Sequence, residues 1–304
     1  MKKKEKKLKK LLDFLVYAFV LGAQFIFQRL SRKQAMAASC AIGNLLYHLV
    51  KSPRKAIEEN LKFIYSGALT DEKINRMTRD IFVCQVKNQV ELFIYRPERE
   101  KDLAELVIVE NIHELDNALK ENNGVLLLTA HLGDWILGIT RLIFMGHNIY
   151  GIIRPFSNKP LYRFLERVAA SRNICLIPRG EKSKNSYTKL LSENKILTTA
   201  IDQHAQEKGI TIPFMGKPAQ AACGWAVLAK KTNARVLVAF CIRKLDDTYR
   251  LVIENPGPLV FTGNDEKDLY ENTLKINKII ESYIYQYPEQ WYWMHKRWRT
   301  VDAA

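Results

Sequence analysis

The sequence predicts an α/β fold, a single domain with a mixed, largely parallel sheet flanked by helices and an additional N-terminal helix. Short apolar runs alternate with segments of helical periodicity, which is typical of parallel strands joined by helices. The runs predicted to be strands are 107–109, 125–128, 149–153, 174–177 and 196–201, with a polar segment at 179–193 before the last of them.

The remaining elements complete this pattern. Two further strands at 236–242 and 249–253 flank Asp246-Asp247 and predict a hairpin. Segment 209–219 is predicted to be a loop over the functional site, in which Phe214 and Met215 offer apolar surface. The predicted helices are 70–95, 112–121, 162–171 and 272–287.

Charge and cysteine content limit the possible functions. The 304-residue chain has 47 Lys and Arg against 32 Asp and Glu, a formal net charge of +15 that calls for an anionic partner. It has no zinc-finger spacing, RNP motif or basic-region heptad, so no nucleic-acid partner is expected. The five cysteines are scattered without a CxxC pair, which argues against a zinc site or disulfide framework. The remaining candidates for the anionic partner are an anionic membrane face, an anionic lipid and an acidic carrier protein.

The N-terminus favours the membrane. A Lys-rich run at 2–10 precedes the apolar segment 11–30, whose uninterrupted core, 14–23, is shorter than the roughly 20 residues of a spanning helix. We expect residues 1–30 to form a membrane-associating helix in the cytoplasmic leaflet, followed by one domain over 31–304. A spanning helix, and a core helix with a solvated Lys tail, are the alternatives.

The most informative stretch is Thr129-Ala130-His131-Leu132-Gly133-Asp134-Trp135. It follows a buried strand, and the loop after such a strand is both exposed and rigidly held. His131 there suits a general base, with the carboxylate of Asp134 three residues on as its orienting partner. The alternative is a structural His at a strand–helix junction.

Three more blocks follow His131 in order. They are Ala200-Ile201-Asp202-Gln203, Pro213-Phe214-Met215-Gly216-Lys217-Pro218-Ala219 and Pro288-Glu289-Gln290-Trp291-Tyr292-Trp293-Met294-His295-Lys296-Arg297-Trp298. Together the blocks resemble the lipid A biosynthesis acyltransferases, the lauroyl and myristoyl transferases of the lysophospholipid acyltransferase superfamily, over about 54–300.

The resemblance implies an O-acyltransferase of lipopolysaccharide biosynthesis. Its acyl donor would be a fatty acyl thioester on acyl carrier protein. Its acceptor would be an anionic lipid, a lipid A precursor, which is acylated on a hydroxyl. The enzyme would work at the cytoplasmic side of the cell inner membrane, with no metal and no cofactor.

The chain departs from the family pattern at one position. The family has an acidic residue five positions after the His, where this chain has Ile136. In a helix, positions 134 and 136 lie about 200° apart, so Asp134 is not a simple substitute. We expect Asp134 to orient His131 from the first helical turn, with Asp202 as the next candidate.

Other site residues follow later strands. The resemblance places Arg154 and Arg172 against substrate, and Arg179 before a flexible Gly suits an anion because its planar fork donates two hydrogen bonds. Asp202 and Gln203 follow a strand and are expected to orient a hydroxyl or hold an arginine, with a simple turn cap as the alternative.

The remaining aromatic and histidine residues of the motifs have weaker assignments. His204 and His295 are expected to be structural, with a role in the site as the alternative. The cluster that is expected to anchor the tail at a membrane interface consists of Trp291, Trp293 and Trp298 beside Lys296 and Arg297.

Two rival functions remain open. A relative in the superfamily would acylate a lysophospholipid or glycolipid, and acceptor assays separate the two. A catalytically degenerate, membrane-surface binding protein would also explain Ile136.

Overall fold

A computed structural model of the chain describes residues 2–95, 100–155, 158–180, 183–205 and 209–298. Its main sheet has seven strands in the order β1-β9-β8-β2-β5-β3-β4, and β8 with β9 is its antiparallel pair. This confirms the mixed, largely parallel sheet. The strands are β1 (Val107–Glu110), β2 (Val125–Thr129), β3 (Ile149–Ile153), β4 (Cys175–Pro178), β5 (Ile196–Ala200), β8 (Arg235–Arg243) and β9 (Tyr249–Glu254), with β6 (Ile210–Phe214) and β7 (Lys217–Ala221) in a separate ribbon.

Helices cover both faces of the sheet. The predicted helices are present, although α11 begins earlier than expected and the polar segment 179–193 contains the helix α9. The helices are α1 (Lys2–Phe27), α2 (Arg32–Leu49), α3 (Lys51–Tyr65), α4 (Asp71–Ile94), α5 (Glu100–Leu106), α6 (Ile112–Lys120), α7 (Trp135–Phe144), α8 (Lys159–Ser171), α9 (Lys184–Ser192), α10 (Gly224–Thr232) and α11 (Asp265–Gln286).

The central strand β2 is buried along its whole length, because it lies between β8 and β5 and has helices on both faces. Its alternating side chains enter two different cores: Leu126 and Leu128 pack on one side of the sheet, and Val125 and Leu127 on the other. A continuous apolar run is what burial on both faces requires. This strand therefore delivers the following loop from the most rigid part of the fold.

The prediction of a loop at 209–219 is wrong, because these residues lie in the antiparallel hairpin β6–β7. Met215 and Gly216 both have positive φ, 50° and 76°, as two-residue hairpin turns require. Phe214 and Met215 are buried at 0% and 3% exposure, so they fill the core and offer no surface to an acyl chain. The segment is thus part of an isolated two-stranded ribbon.

Helix α1 has a largely exposed apolar surface. Lys10–Phe27 is long and apolar enough to cross a membrane by length and composition, and almost none of it is buried in the protein. Its last turn packs through Phe27 on Phe93 and Met36. The side chains of most of the basic run 2–10 lie outside the described residues. The choice between an interfacial and a spanning helix stays a prediction.

The turn after β2 depends on a glycine. Gly133 has a φ of +62°, and a Cβ there would lie 1.9 Å from the carbonyl oxygen of Cys241 in β8. Its carbonyl oxygen accepts from Asn88 Nδ2 at 2.9 Å, and its N–H donates to Gln290 at 3.1 Å. The turn is thus fixed by α4, β8 and the segment after α11.

We predict that Gly133→Ala lowers the free energy of unfolding by about 2–5 kcal/mol, because it combines left-handed backbone strain with a steric clash. Denaturant unfolding measures this change. Gly146→Ala is the control, since Gly146 also has a positive φ, +95°, but its Cβ would meet nothing within 4 Å. Equal losses in the two variants would show that the contact with β8 contributes nothing.

Candidate active site

The site is built by two neighbouring parallel strands. Strands β2 and β5 pair with Thr129 opposite Ala200. His131 and Asp202 each come two residues later, so the register brings them side by side at the carboxyl edge of the sheet. His131 Nδ1 lies 2.8 Å from Asp202 Oδ1. Ligand sites of open α/β sheets occur at this edge.

Asp202 is a buried carboxylate whose two oxygens are both satisfied. It is 1% exposed. Oδ1 accepts from the His131 ring, while Oδ2 accepts from the His131 backbone N–H at 3.1 Å and from Trp291 Nε1 at 2.8 Å. A carboxylate in an apolar interior is stable only when its oxygens are paired in this way. The three bonds fix its orientation.

The pKa values of the two groups move apart in the direction of an ion pair. Burial disfavours the imidazolium, but the charge and hydrogen bond of Asp202 outweigh it and raise the pKa of His131 above 6.5. Burial also opposes ionisation of Asp202, but His131 and the Trp291 N–H hold its pKa below 3.8. The contribution of His131 to the stability of the folded state is complete below pH 6.5 and is lost as the pH rises through its raised pKa. The contribution of Asp202 is present above pH 3.8 and is lost as the pH falls through its lowered pKa.

The structure does not bring Asp134 to the His131 ring, contrary to the expected orienting role. Asp134 is the N-cap of α7, where its Oδ1 accepts from the Leu137 N–H at 3.0 Å. Its Oδ2 is buried and has no hydrogen-bond partner among the described residues. Burial and the charge of Glu91 raise the pKa of Asp134 to about 6. Because α7 begins at Trp135, the Asp134 side chain turns towards the first turn of that helix and away from the His131 ring.

The other edge of His131 faces a cavity of about 600 Å³. The side chain is 31% exposed, and Gln203 Nε2 lies 3.4 Å from His131 Nε2. Because Asp202 accepts from Nδ1, the neutral ring carries its lone pair on Nε2, beside the cavity. That nitrogen can take a proton from a molecule bound there.

The cavity is mostly apolar, and Ile136 is part of its wall. Ile136 therefore contributes hydrocarbon surface beside His131. Further apolar wall residues come from α7, α8 and the strands β3 and β4: Ile139, Ile152, Leu165, Ala169 and Leu176. Such a lining suits an alkyl chain.

All three predicted arginines line this cavity, but in different environments. Arg154 and Arg179 follow β3 and β4 and are exposed at its rim. Arg172 is only 2% exposed, and its Nη2 donates to the carbonyl of Leu92 at 2.9 Å. It also lies over the Tyr95 ring, 4.7 Å from the centroid. Arg172 thus caps the carboxyl end of α4 as well as bordering the cavity.

The tryptophan-rich segment is not a membrane anchor, which corrects the sequence prediction. Trp291 and Trp293 are 1% and 0% exposed, and Arg297 is 0% exposed. Trp298 is half-buried and donates to the carbonyl of Phe214 at 3.1 Å. Only Lys296 is exposed in this motif between Trp291 and Trp298.

Sequence reasoning missed the role of Trp291 at Asp202. A Trp in a polar motif resembled an interfacial anchor, and no local signal linked it to a residue 89 positions earlier. His204 and His295, expected to be structural, both line the cavity.

The described residues contain no group of three or more His, Cys, Asp or Glu side chains that could hold a metal ion. What they do provide is a buried carboxylate, an imidazole whose Nε2 edge faces a cavity beside Gln203, and cationic residues on the wall of that apolar cavity. These parts define a class of protein, an α/β protein with a His–Asp pair at the mouth of a lipid-sized cavity.

The chain belongs to the bacterial lipid A biosynthesis acyltransferase family, whose model matches residues 1–300. It is 28% identical over 195 residues to the lipid A biosynthesis palmitoleoyltransferase of Escherichia coli K12 and to a lipid A biosynthesis acyltransferase of Shigella flexneri. These matches span 63% of this chain and 61% of either relative. The chain is 24% identical to the lipid A biosynthesis lauroyltransferase of Escherichia coli K12, over 86% of this chain and 84% of that relative.

We predict that Asp202→Asn lowers the pKa of His131 below its wild-type value, because burial then acts without the opposing carboxylate. Titration of the imidazole ¹⁵N resonances by NMR measures this. Asp134→Asn is the matched control and is expected to leave the His131 titration unchanged. It should also preserve the cap, since Asn and Asp cap helices equally well. A lowered His131 pKa in Asp134→Asn and an unchanged one in Asp202→Asn would instead identify Asp134 as the partner of the imidazole.

Proposed function

We propose that the protein is an O-acyltransferase that moves a fatty acyl chain from a thioester on acyl carrier protein to a hydroxyl of a lipid A precursor. The observation that carries this proposal is the His131–Asp202 pair opening onto an apolar cavity in a chain of this family. We further propose that the work takes place at the cytoplasmic face of the inner membrane.

In this mechanism His131 is the general base. A hydroxyl is a weak nucleophile at neutral pH, and Nε2 of the imidazole removes its proton as the oxygen attacks the thioester carbon. Asp202 holds the Nδ1–H tautomer and stabilises the imidazolium that forms. Collapse of the tetrahedral intermediate breaks the C–S bond and forms the ester, and the leaving thiolate takes the proton from the imidazolium, which regenerates the base. The sequence of steps forms no acyl-enzyme.

The cavity would supply proximity and charge stabilisation. Its apolar wall holds the acyl chain beside His131, which makes the attack effectively intramolecular. Gln203 Nε2 lies next to the ring and can donate to the developing oxyanion. Arg154 and Arg179 at the rim suit phosphate groups of an anionic acceptor.

The loss of the family's acid at position 136 does not require loss of activity. The usual reason for an acid near a catalytic His is to fix its tautomer, and Asp202 already does so from β5. Ile136 favours a more apolar surround for the acyl chain. We therefore favour an active enzyme over a degenerate binding protein.

We predict that His131→Ala lowers the rate of acyl transfer by about 10²–10⁴-fold, the usual contribution of a general base. Asp202→Asn should also reduce it strongly, while Asp134→Asn stays close to wild type. For the wild type, kcat/KM should rise with pH through the raised pKa of His131, because only the neutral ring accepts a proton. Mass spectrometry of the acylated product measures transfer.

The acceptor decides between this function and its rivals. The assay should offer an acyl-carrier-protein donor with a lipid A precursor, and the same donor with a lysophospholipid. Turnover with the lysophospholipid alone would support the other superfamily activity. No turnover by wild type with either acceptor, but turnover by Ile136→Glu, would identify a degenerate relative.

We predict that deletion of residues 1–30 releases much of the protein into the soluble fraction and leaves a folded domain. Helix α1 buries little of its apolar surface in the protein, and basic residues near an anionic leaflet contribute about 1 kcal/mol each. Membrane flotation with circular dichroism measures both effects. A truncated form that still floats and resists high salt would place the anchor elsewhere.

A further inference from the structure

A second cavity, of about 300 Å³, lies between helices α1 and α8 near the carboxyl end of α4. Its lining combines apolar and hydrogen-bonding side chains. Leu21, Gln24 and Gln28 come from α1, while Phe164 and Arg167 come from α8. We call this cavity, with the residues just named and Ser171, the α1–α8 groove.

The α1–α8 groove borders the active-site cavity. Leu92, Val168 and Arg172 line both of them. On its other side, Arg167 also lines an outer depression of about 550 Å³, in which Phe14 and Tyr17 of α1 face α8. A row of three cavities therefore runs from the outer surface of α1 to His131.

Arg172 gives the inner end of this row a buried positive charge. Both of its hydrogen bonds to carbonyls, to Leu92 at 2.9 Å and to Glu91 at 3.5 Å, come from Nη2. The guanidinium is 2% exposed, and the charges of Asp134 and Glu91 act on it without a direct ion pair among the described residues. A buried positive charge on the wall of the groove favours an anion there.

The rest of the α1–α8 groove suits the same anion. Arg167 lies in both the groove and the outer depression, and its guanidinium donates to Tyr17 of α1. Gln24 lines the same groove and adds a neutral amide donor. Arginines present paired donors that match phosphate oxygens, and an amide donor adds to the coordination.

The location of the α1–α8 groove indicates where the anion comes from. Helix α1 exposes apolar rings along its length, with Phe14 59%, Phe19 76% and Phe25 59% exposed, as a helix in contact with lipid does. Phe14 lines the outer depression. With α1 in the membrane, as its sequence predicts, a molecule that enters between α1 and α8 comes from the bilayer.

We propose that the α1–α8 groove is a lateral binding site for a phosphate-bearing lipid from the membrane. The phosphate lies between Arg167 and Arg172, and the acyl chains pass between Leu21 and Phe164. That this lipid continues to His131 as the acceptor rests on the proposed function.

Photolabelling tests the site without any turnover. The full chain is reconstituted in phosphatidylcholine vesicles that contain either phosphatidic acid with a photoreactive acyl chain or the matching diacylglycerol. Peptide mass spectrometry then measures labelling of α8. Phosphatidic acid should label α8 at least about tenfold more than diacylglycerol, since a charge-assisted hydrogen bond contributes about that factor or more. His131→Ala should label like wild type.

Variants locate the label. Arg167→Gln and Ser171→Glu should each reduce labelling by phosphatidic acid about tenfold, whereas Arg76→Gln, at an exposed arginine remote from the groove, should not. Gln24→Trp should fill the groove and abolish labelling, and Phe19→Trp, on the exposed face of α1, should not. Circular dichroism confirms that each variant is folded.

Three results would overturn the proposal: equal labelling by diacylglycerol, labelling that is unchanged in the variants, or loss of labelling with excess inorganic phosphate. The last result would indicate a site for free phosphate. A turnover assay separates this proposal from the function. If α8 is not labelled but transfer depends on His131, the groove assignment fails alone; if α8 is labelled and no acyl acceptor reacts, the lipid site stands without the enzyme.

Discussion

The hydrogen-bonded register between β2 and β5 is the constraint on which the site depends. Thr129 and Ala200 face each other, and the same two-residue step carries each chain to His131 and Asp202. A slip of one residue between the strands would turn every side chain to the opposite face and separate the pair. The packing of β2 between β8 and β5, in a sheet with two cores, therefore sets the 2.8 Å distance between imidazole and carboxylate.

Two buried carboxylates near His131 have opposite protonation behaviour because their surroundings differ. Asp202 receives three hydrogen bonds and its pKa is lowered, while Asp134 receives one and its pKa is raised to about 6. Asp134 therefore takes up a proton at a higher pH than Asp202, which stays ionised beside the imidazole. Asp134 instead fixes the start of α7, whose next residues, Trp135 and Ile136, form the wall of the cavity.

The strands, the sheet type and the position of His131 could be predicted from the sequence, because apolar runs and turn residues are local signals. The partner of His131 could not be assigned in this way, since strand order is not encoded near either residue. Sequence spacing favoured Asp134, three positions away, over Asp202, 71 positions away. The same limitation applies to Trp291 and to hairpin β6–β7, where composition alone suggested surface and the tertiary packing buried the residues.

The hydrogen bond from Trp291 to Asp202 has a consequence for the order of assembly. During synthesis, β2, β5 and the rest of the sheet emerge before residue 291, and a domain generally folds as a unit. Without Trp291, Oδ2 of Asp202 lacks its indole donor, and one of the hydrogen bonds that lower the pKa of this carboxyl is missing. The His131–Asp202 pair therefore reaches its final electrostatic state only after the segment around Trp291 has docked.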